Sequence, residues 1–338
     1  MTMSSTNQSG ASPTVRFMRR HRDILLLAGL FALVLAGLAS LAAATGWAET
    51  MQQIGKLTFL QILILLGLSL INYGFRGLRW HLFARRLGLP TKLIQDMRHF
   101  LGGFAMSVTP GRVGELIRMR WLRRETGWSV ERTAPLVLMD RASDLGAIAL
   151  ILALSITLSA AGIAGAVPVT LMALIAAYVA TRPQLLAGIA LGAYRLSGVW
   201  PRLFGRIRTA SRSLARFSDA KTMLAAAALG LIGWMAEGYA FYILLMWMGA
   251  DIGFWTAIAI FVFSTLAGGL TGAPGGVGGA EAAMIGLLMI EHVPLDMSVP
   301  ATLLIRLTTL WFAIGIGFAV FPFAERISLK GRHALENR

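Results

Sequence analysis

Eight ionisable side chains lie within or beside long apolar runs: Arg112, Glu115, Asp140, Arg141, Asp144, Glu237, Glu281 and Arg306. A charge at the centre of a membrane helix costs about 2.5–3.5 kcal/mol on insertion scales, so each is expected to face the bundle interior and to have a partner. Arg141 follows Glu115 by 26 residues, and Arg306 follows Glu281 by 25. The two arginines thus hold matching places. Each either pairs with a nearby glutamate or reaches a lipid phosphate, for which the guanidinium fork is well shaped; the two roles are compatible. Glu115 and Glu281 fall in the first turn of a helix. There a carboxylate serves as a helix N-terminal acid favoured by the macrodipole, or as a ligand for a cationic group or a proton. Asp140 and Asp144 are four apart and share a helix face. Thr309 stands where a counterpart of Asp144 would fall, so the halves are not chemically equivalent. Asn72 and Arg76 are weaker candidates, Asn72 as a helix–helix hydrogen bond.

Two breaks position these groups. The first reads Thr109-Pro110-Gly111-Arg112-Val113-Gly114-Glu115, with Pro110, Gly111 and Gly114 as breakers. The second runs from Ala273 to Glu281 through Pro274, Gly275, Gly276 and Gly278. Interrupted apolar segments at corresponding places in two halves point to a transporter's binding site. Such breaks are simple helix breakers, or they turn free N–H groups at two helix starts into one cavity, a ready anion site.

The chain is 56% hydrophobic and 14% charged, against about 25% charged in soluble domains, which indicates a polytopic membrane protein. Helices are expected because each satisfies its own backbone in lipid. The net charge of +15 is spread over short stretches between apolar runs, a topology signal that argues against nucleic acid; some of these bases also suit anionic lipid headgroups. There is no cysteine, hence no disulfide or thiolate metal site, and five scattered histidines suggest no metal centre. No P-loop, Gly-x-Ser-x-Gly elbow or dinucleotide fingerprint is present, so neither a cofactor nor enzymatic activity is expected.

The apolar runs predict spans at 24–44, 57–75, 133–160, 166–180, 223–247 and 299–321. The first follows Arg16, Arg19, Arg20 and Arg22 and exceeds the usual signal-peptide core of 7–15 residues, so an uncleaved helix is expected. The pairs Phe100–Val108 with Val113–Trp121 and Phe254–Leu270 with Glu281–Ile290 are too short to cross. Basic flanks place the first pair as a re-entrant hairpin from the cytoplasm; acidic flanks place the second as one from outside. The expected fold is all-α, with six transmembrane helices and two re-entrant hairpins. The halves, at about 57–160 and 223–322, form an inverted-topology repeat. Residues 1–23 form a basic cytoplasmic tail, 24–322 the transmembrane domain, 182–221 a basic cytoplasmic segment and 323–338 a second tail.

At these motifs the chain resembles the flippase-like membrane family that includes the transmembrane region of lysylphosphatidylglycerol synthase. The matching pieces are Asn72-Tyr73-Gly74-Phe75-Arg76 with Arg79-Trp80, Pro110 to Glu115 with Arg118, Asp140-Arg141 with Asp144, and Pro274 to Gly278 with Glu281. The resemblance implies lipid translocation across the cytoplasmic membrane. In multiple-peptide-resistance-factor members the lipid is lysyl-phosphatidylglycerol, made by a fused synthase domain. This chain ends at Arg338 without one, so no aminoacyl transfer is expected. Other members resemble proteins of hopanoid or polyprenyl-phosphate-glycan metabolism. The expectation is a flippase or lipid transporter of the bacterial inner membrane, multi-pass with both termini cytoplasmic. Its partners are membrane lipids with an anionic phosphate headgroup. Two other readings share these features: an intramembrane enzyme using two carboxylates as acid and base, and a non-transporting partner of a lipid-synthesis enzyme.

Overall fold

The computed structural model describes residues 57–107, 116–158, 166–182 and 219–336, with a few single positions between. These residues are helical, without a strand. In chain order the helices are α1 (Phe59–Leu87), α2 (Leu93–Gly103), α3 (Ile117–Thr126), α4 (Val130–Leu158), α5 (Ala166–Thr181), α6 (Ala220–Met248), α7 (Phe254–Leu270), α8 (Gly279–Ile290), α9 (Leu295–Arg306) and α10 (Phe312–Glu336). Short 3₁₀ turns follow α2 (Phe104–Met106) and α7 (Pro274–Gly276), and a π-turn, Leu307–Trp311, joins α9 to α10. Among the described residues four helical rods are long and apolar enough to cross a membrane: α1, α4, α6 and the continuous Leu295–Gly331. The expected span 24–44 and the tail before it lie outside the described residues, as does most of 182–221.

Local chemistry fixes the rod ends. Thr58 and Gln61 cap α1 reciprocally, with Gln61 N–H donating to Thr58 Oγ1 (3.3 Å) and Thr58 N–H to Gln61 Oε1 (2.8 Å). Asp219 caps α6 by accepting from Thr222 N–H at 2.9 Å. Both rods stop at a left-handed glycine, Gly88 and Gly249. The sequence placed the end of the second span at Phe75. Instead α1 continues about three turns to Leu87 and buries Arg76 and Arg79. Hydropathy treats an arginine as an exposed flank; it does not register a partner elsewhere in the chain. The helices on either side of the second break have close to the expected limits, with α7 spanning Phe254–Leu270 and α8 beginning two residues before Glu281.

Packing is crosswise. α1 lies against α6, and Gly233 brings them close: a Cβ there would stand 3.4 Å from Asn72 O. α2 and α3 pack on α10, the last rod of the other half, while α7 packs on α4. Ser107, just ahead of the first break, accepts at its carbonyl from Gly275 N–H of the second at 3.1 Å.

Two apolar cores result. One gathers Leu65, Ile148, Phe241, Ile258, Leu288 and Ile305; the other gathers Tyr73, Trp80, Phe83, Phe100, Leu122 and Met139. Each long rod runs from one core to the other. On α1, α4, α6 and the α9–α10 rod the ionisable residues cluster at that crossing: Arg76, Asp140 to Asp144, Glu237 and Arg306.

Candidate functional site

Arg76 and Arg79, three apart on α1, face Asp140 and Asp144, four apart on α4, because both spacings put side chains on one helix face. Arg76 holds Asp144 with two bonds, Nε to Oδ1 at 3.0 Å and Nη2 to Oδ2 at 2.5 Å. Its Nη1 donates to Asn72 Oδ1 at 3.3 Å. Arg79 is fully buried, and its Nη2 donates to Asp140 Oδ1 (2.7 Å), Asp144 Oδ1 (2.6 Å) and the Asp140 carbonyl (3.2 Å). Trp234 Nε1–H on α6 adds a bond to Asp144 Oδ1 at 3.2 Å. Arg118, buried on α3, stands 3.8 Å from Asp140 Oδ2, with its guanidinium carbon 4.7 Å from the Phe100 ring centre and 5.1 Å from that of Trp80. Arg141 lies farther from the carboxylates, at 3.7 Å from Asp140 and 3.8 Å from Asp144, and its side chain is 32% exposed.

The second half builds a smaller lock. Arg306 Nε donates to Glu281 Oε1 at 2.6 Å and its Nη2 to the Gly275 carbonyl at 2.7 Å. Glu281 Oε2 accepts from Gly278 N–H at 2.7 Å. Glu281 is therefore a helix N-terminal acid and a salt-bridge partner at once, and the arginine ties the rod to the break. The Pro274–Gly276 turn needs left-handed backbone at Gly275 (φ 61°) and Gly276 (φ 70°). A Cβ on Gly276 would meet the Gly268 carbonyl carbon at 3.0 Å.

Between the two assemblies lies a cavity of about 500 Å³. Arg141, Asp144 and Arg306 line it together with Trp234, Thr265 and the backbone of the second break, including Gly275 and Gly276. The rest of its wall is largely apolar, with Leu116, Val137, Leu145, Ile148, Leu266 and Leu270. An adjoining space of about 50 Å³ is bounded by Glu237 with Tyr73, Arg76, Arg306 and Thr309. Tyr73 O–H donates to the Thr309 carbonyl within the π-turn.

The structure thus places Arg76, Arg141, Asp144, Glu237, Arg306 and Gly275 and Gly276 of the second break on two adjoining spaces, with Asn72, Asp140 and Glu281 bonded behind them to Arg76, Arg79 and Arg306. Pro110, Gly111, Arg112, Gly114 and Glu115 lie outside the described residues. Arg79, Trp234 and the caged Arg118 were not singled out from sequence as site residues. The three-residue spacing of Arg76 and Arg79, set against the four-residue spacing of the aspartates, was the signal available for Arg79. Arg118 reads as one of several bases at the end of a short helix, yet it is buried, as is His99, whose ring stacks on Trp121 at 5.9 Å. No group of three metal-ligating side chains occurs among the described residues.

The sequence pattern described as the lysylphosphatidylglycerol synthase TM region matches residues 25–317. Two relatives in Methanothermobacter thermautotrophicus, each described as a UPF0104 membrane protein, are similar along much of the chain. One is 24% identical over 263 residues, 73% of this chain and 78% of its own length. The other is 24% identical over 332 residues, 90% of this chain and 96% of its own.

Proposed function

The chain belongs to the lysylphosphatidylglycerol synthase TM-region family, and from that premise we propose that it moves a phosphate-bearing lipid across the bacterial inner membrane. One observation carries the reading. Arg141 and Arg306, from matching places in the two halves, line a single cavity whose remaining wall is mostly apolar. A headgroup phosphate would meet the guanidinium groups while the tails stay against aliphatic side chains and lipid.

In this reading α2–α3 and α7–α8 are re-entrant hairpins entering from opposite faces. Six spans, including 24–44 and α5, make up the bundle, with both termini in the cytoplasm. The bond from Gly275 N–H to Ser107 O and the crosswise packing of each hairpin on the other half's last rod support it. Rocking of one half against the other would move the site between leaflets, as inverted repeats allow. A lipid-synthesis enzyme is the natural supplier of the substrate. Catalysis is not part of the proposal, because Asp144 and Glu281 are already bonded to arginines, an indole N–H and a backbone N–H rather than poised as an acid–base pair.

The test is headgroup accessibility in reconstituted vesicles. Arg141→Ala should slow transport at least about tenfold, the loss expected for one charge-assisted phosphate contact. Arg306→Lys, which keeps the charge, should retain more activity than Arg306→Ala. Wild-type rates for Arg141→Ala would remove the phosphate role, and a chemically altered lipid after incubation would favour the enzymatic reading.

A further inference from the structure

Away from the cavity, α1 and α2 meet at a buried acid. Asp96, in the first turn of α2, is fully buried. Its Oδ2 lies 2.6 Å from His81 Nδ1 on α1 and accepts from Thr91 Oγ1 at 3.0 Å. Its Oδ1 has no hydrogen-bond partner among the described residues. The helices approach closely here: one turn before His81, Gly77 leaves no room for a Cβ against the sulfur of Met97, the neighbour of Asp96. The His81 side chain is 25% exposed, so protons reach the pair from water. Glu125, on α3, is compensated differently. Arg98 Nη2 stands 2.8 Å from each of its oxygens and Gln95 Nε2 donates to Oε2, with His99 Nε2 at 3.2 Å. Glu125 thus keeps an arginine whatever the state of its histidine. Asp96 is paired with a histidine and a hydroxyl alone.

Histidine ordinarily changes charge between pH 5 and 8. Neutralising an imidazolium that faces a buried carboxylate leaves that carboxylate without a counterion, which is strongly unfavourable. Burial also pushes the Asp96 carboxyl above its ordinary value, although the hydrogen bonds from His81 and Thr91 and the charges of His81 and His99 oppose it. A raised folded-state value gives stability that is present below the ordinary carboxylate value and is lost as pH rises through the raised one. Both partners therefore favour the packed state when the pair holds a proton. Neighbouring charges are engaged elsewhere or lie in water. On α1, Arg79 meets Asp140 and Asp144 of α4, and Arg86 stands 3.7 Å from Asp219 ahead of α6. Arg98 and His99 of α2 meet Glu125 of α3, and Arg118 of α3 stands by Asp140. Glu325 of α10 takes bonds from Arg120, Trp121 and Arg124. Arg85, Lys92, Arg326 and Lys330 are exposed.

We propose that His81 and Asp96 form a proton-operated latch, which holds the start of α2 against α1 while the pair carries a proton and lets it part as that proton leaves. The latch sits at one end of a lever. About three turns beyond Asp96, α2 has passed through its 3₁₀ turn to Ser107, whose carbonyl accepts from Gly275 N–H. Gly275 lines the cavity, so loosening at Asp96 is passed to the cavity wall. The latch does not depend on what the cavity binds or moves.

The experiment is hydrogen exchange of the full-length protein in nanodiscs of uncharged lipid, from about pH 6 to 9, corrected for the intrinsic pH dependence of exchange. Protection of the α2 amides should fall about tenfold as pH rises, the change that follows when opening alters the pair's proton affinity by one unit. Protection of α6 should stay constant. His81→Gln, which never carries the charge, should hold α2 at the high-pH wild-type level throughout. Asp96→Asn should remove the response from the other side of the pair. Each variant is compared with wild type where its α6 protection is unchanged. In the wild type itself, the His81 ring-nitrogen shifts should titrate in step with α2 protection. Flat α2 protection in the wild type overturns the latch, as does His81 titration that leaves α2 protection unmoved. A response that survives in both variants also overturns it. So does one abolished by Glu125→Gln and kept by His81→Gln, which assigns the response to the His99 pair.

Discussion

The two halves place an arginine at the same point and surround it differently. On α4, Arg141 stands beside Asp140 and Asp144, which are already held by Arg76 and Arg79 from α1, and its own side chain remains partly exposed. On α9, Arg306 is buried and bound to the glutamate and carbonyl of its own hairpin. Where the first half has Asp144 on a regular helix, the second has Thr309 in a π-turn, its carbonyl taken by Tyr73 and its hydroxyl bonded to Ile305 O at 2.6 Å. Both arginines line the cavity, but Arg306 also braces the second break through Glu281 and the Gly275 carbonyl. Equivalent sequence positions therefore need not share a role: what matters is which neighbours have already claimed the acceptors.

Mutations can break this contrast, and the largest effect is expected at the first half's hub. Asp144→Ala would strand Arg76 and Arg79 as buried charges with one carboxylate between them, a loss of about 3–5 kcal/mol. It should appear as a sharply reduced yield of monodisperse protein and a lower midpoint in detergent unfolding. A mild phenotype would mean that water or lipid already solvates these arginines.

Next is the brace. Arg306→Ala should cost about 3 kcal/mol, because it leaves the buried Glu281 carboxylate uncompensated. Arg306→Ala combined with Glu281→Gln should cost less than the two single changes added together. Strict additivity in that cycle would show that the pair is not coupled.

Gly276→Ala sharpens the comparison at the break itself. The left-handed backbone and the contact with Gly268 predict a loss of about 1–3 kcal/mol. The strain falls on the second hairpin alone, so hydrogen exchange should rise in α7 and α8 and stay unchanged in α2 and α3.

The smallest effect is acid loosening of the first hairpin. At the end of α3, outside the long apolar rods, burial raises the Glu125 pKa, but the His99 imidazole 3.2 Å away and the Arg98 charge outweigh it and hold the carboxyl below its ordinary value. Arg98 Nη2 lies 2.8 Å from each Glu125 oxygen. A depressed folded-state pKa contributes stability that is present above the ordinary carboxylate value and is lost as pH falls through the folded value. Acidification from pH 6 into the range below about 4 should therefore weaken α2–α3 packing on α10, and Glu125→Gln should flatten the response. The reporter is fluorescence of a variant that keeps Trp121, stacked on His99, as its single tryptophan. An identical pH profile after the Glu125→Gln change would assign the acid sensitivity elsewhere.

Much of the architecture was readable from the sequence. Apolar run length gave the all-helical fold and the limits of α7, since a 17-residue stretch between Gly253 and the Pro274 break has few other ways to satisfy its backbone. The second break and its glutamate were legible because proline and glycine act locally. The interior reach of α1 was not. Arg76 and Arg79 resemble ordinary flanking bases until Asp140 and Asp144, more than sixty residues away, are brought against them. Nothing local marks Arg118 and His99 as buried for the same reason, because aromatic cages form only between packed helices.

The sequence by itself determined that this chain crosses a membrane as helices and that charges lie within its long apolar runs. Both follow from the cost of unsatisfied backbone and unpaired charge in lipid, which neighbouring residues already reveal. Only the tertiary structure decided which charges hold one another and which face the cavity. Pairing depends on distances between residues far apart in the chain. Those distances, set by the crosswise packing of helices from the two halves, put Arg141 and Arg306 on one cavity and tie Arg306 to the second break.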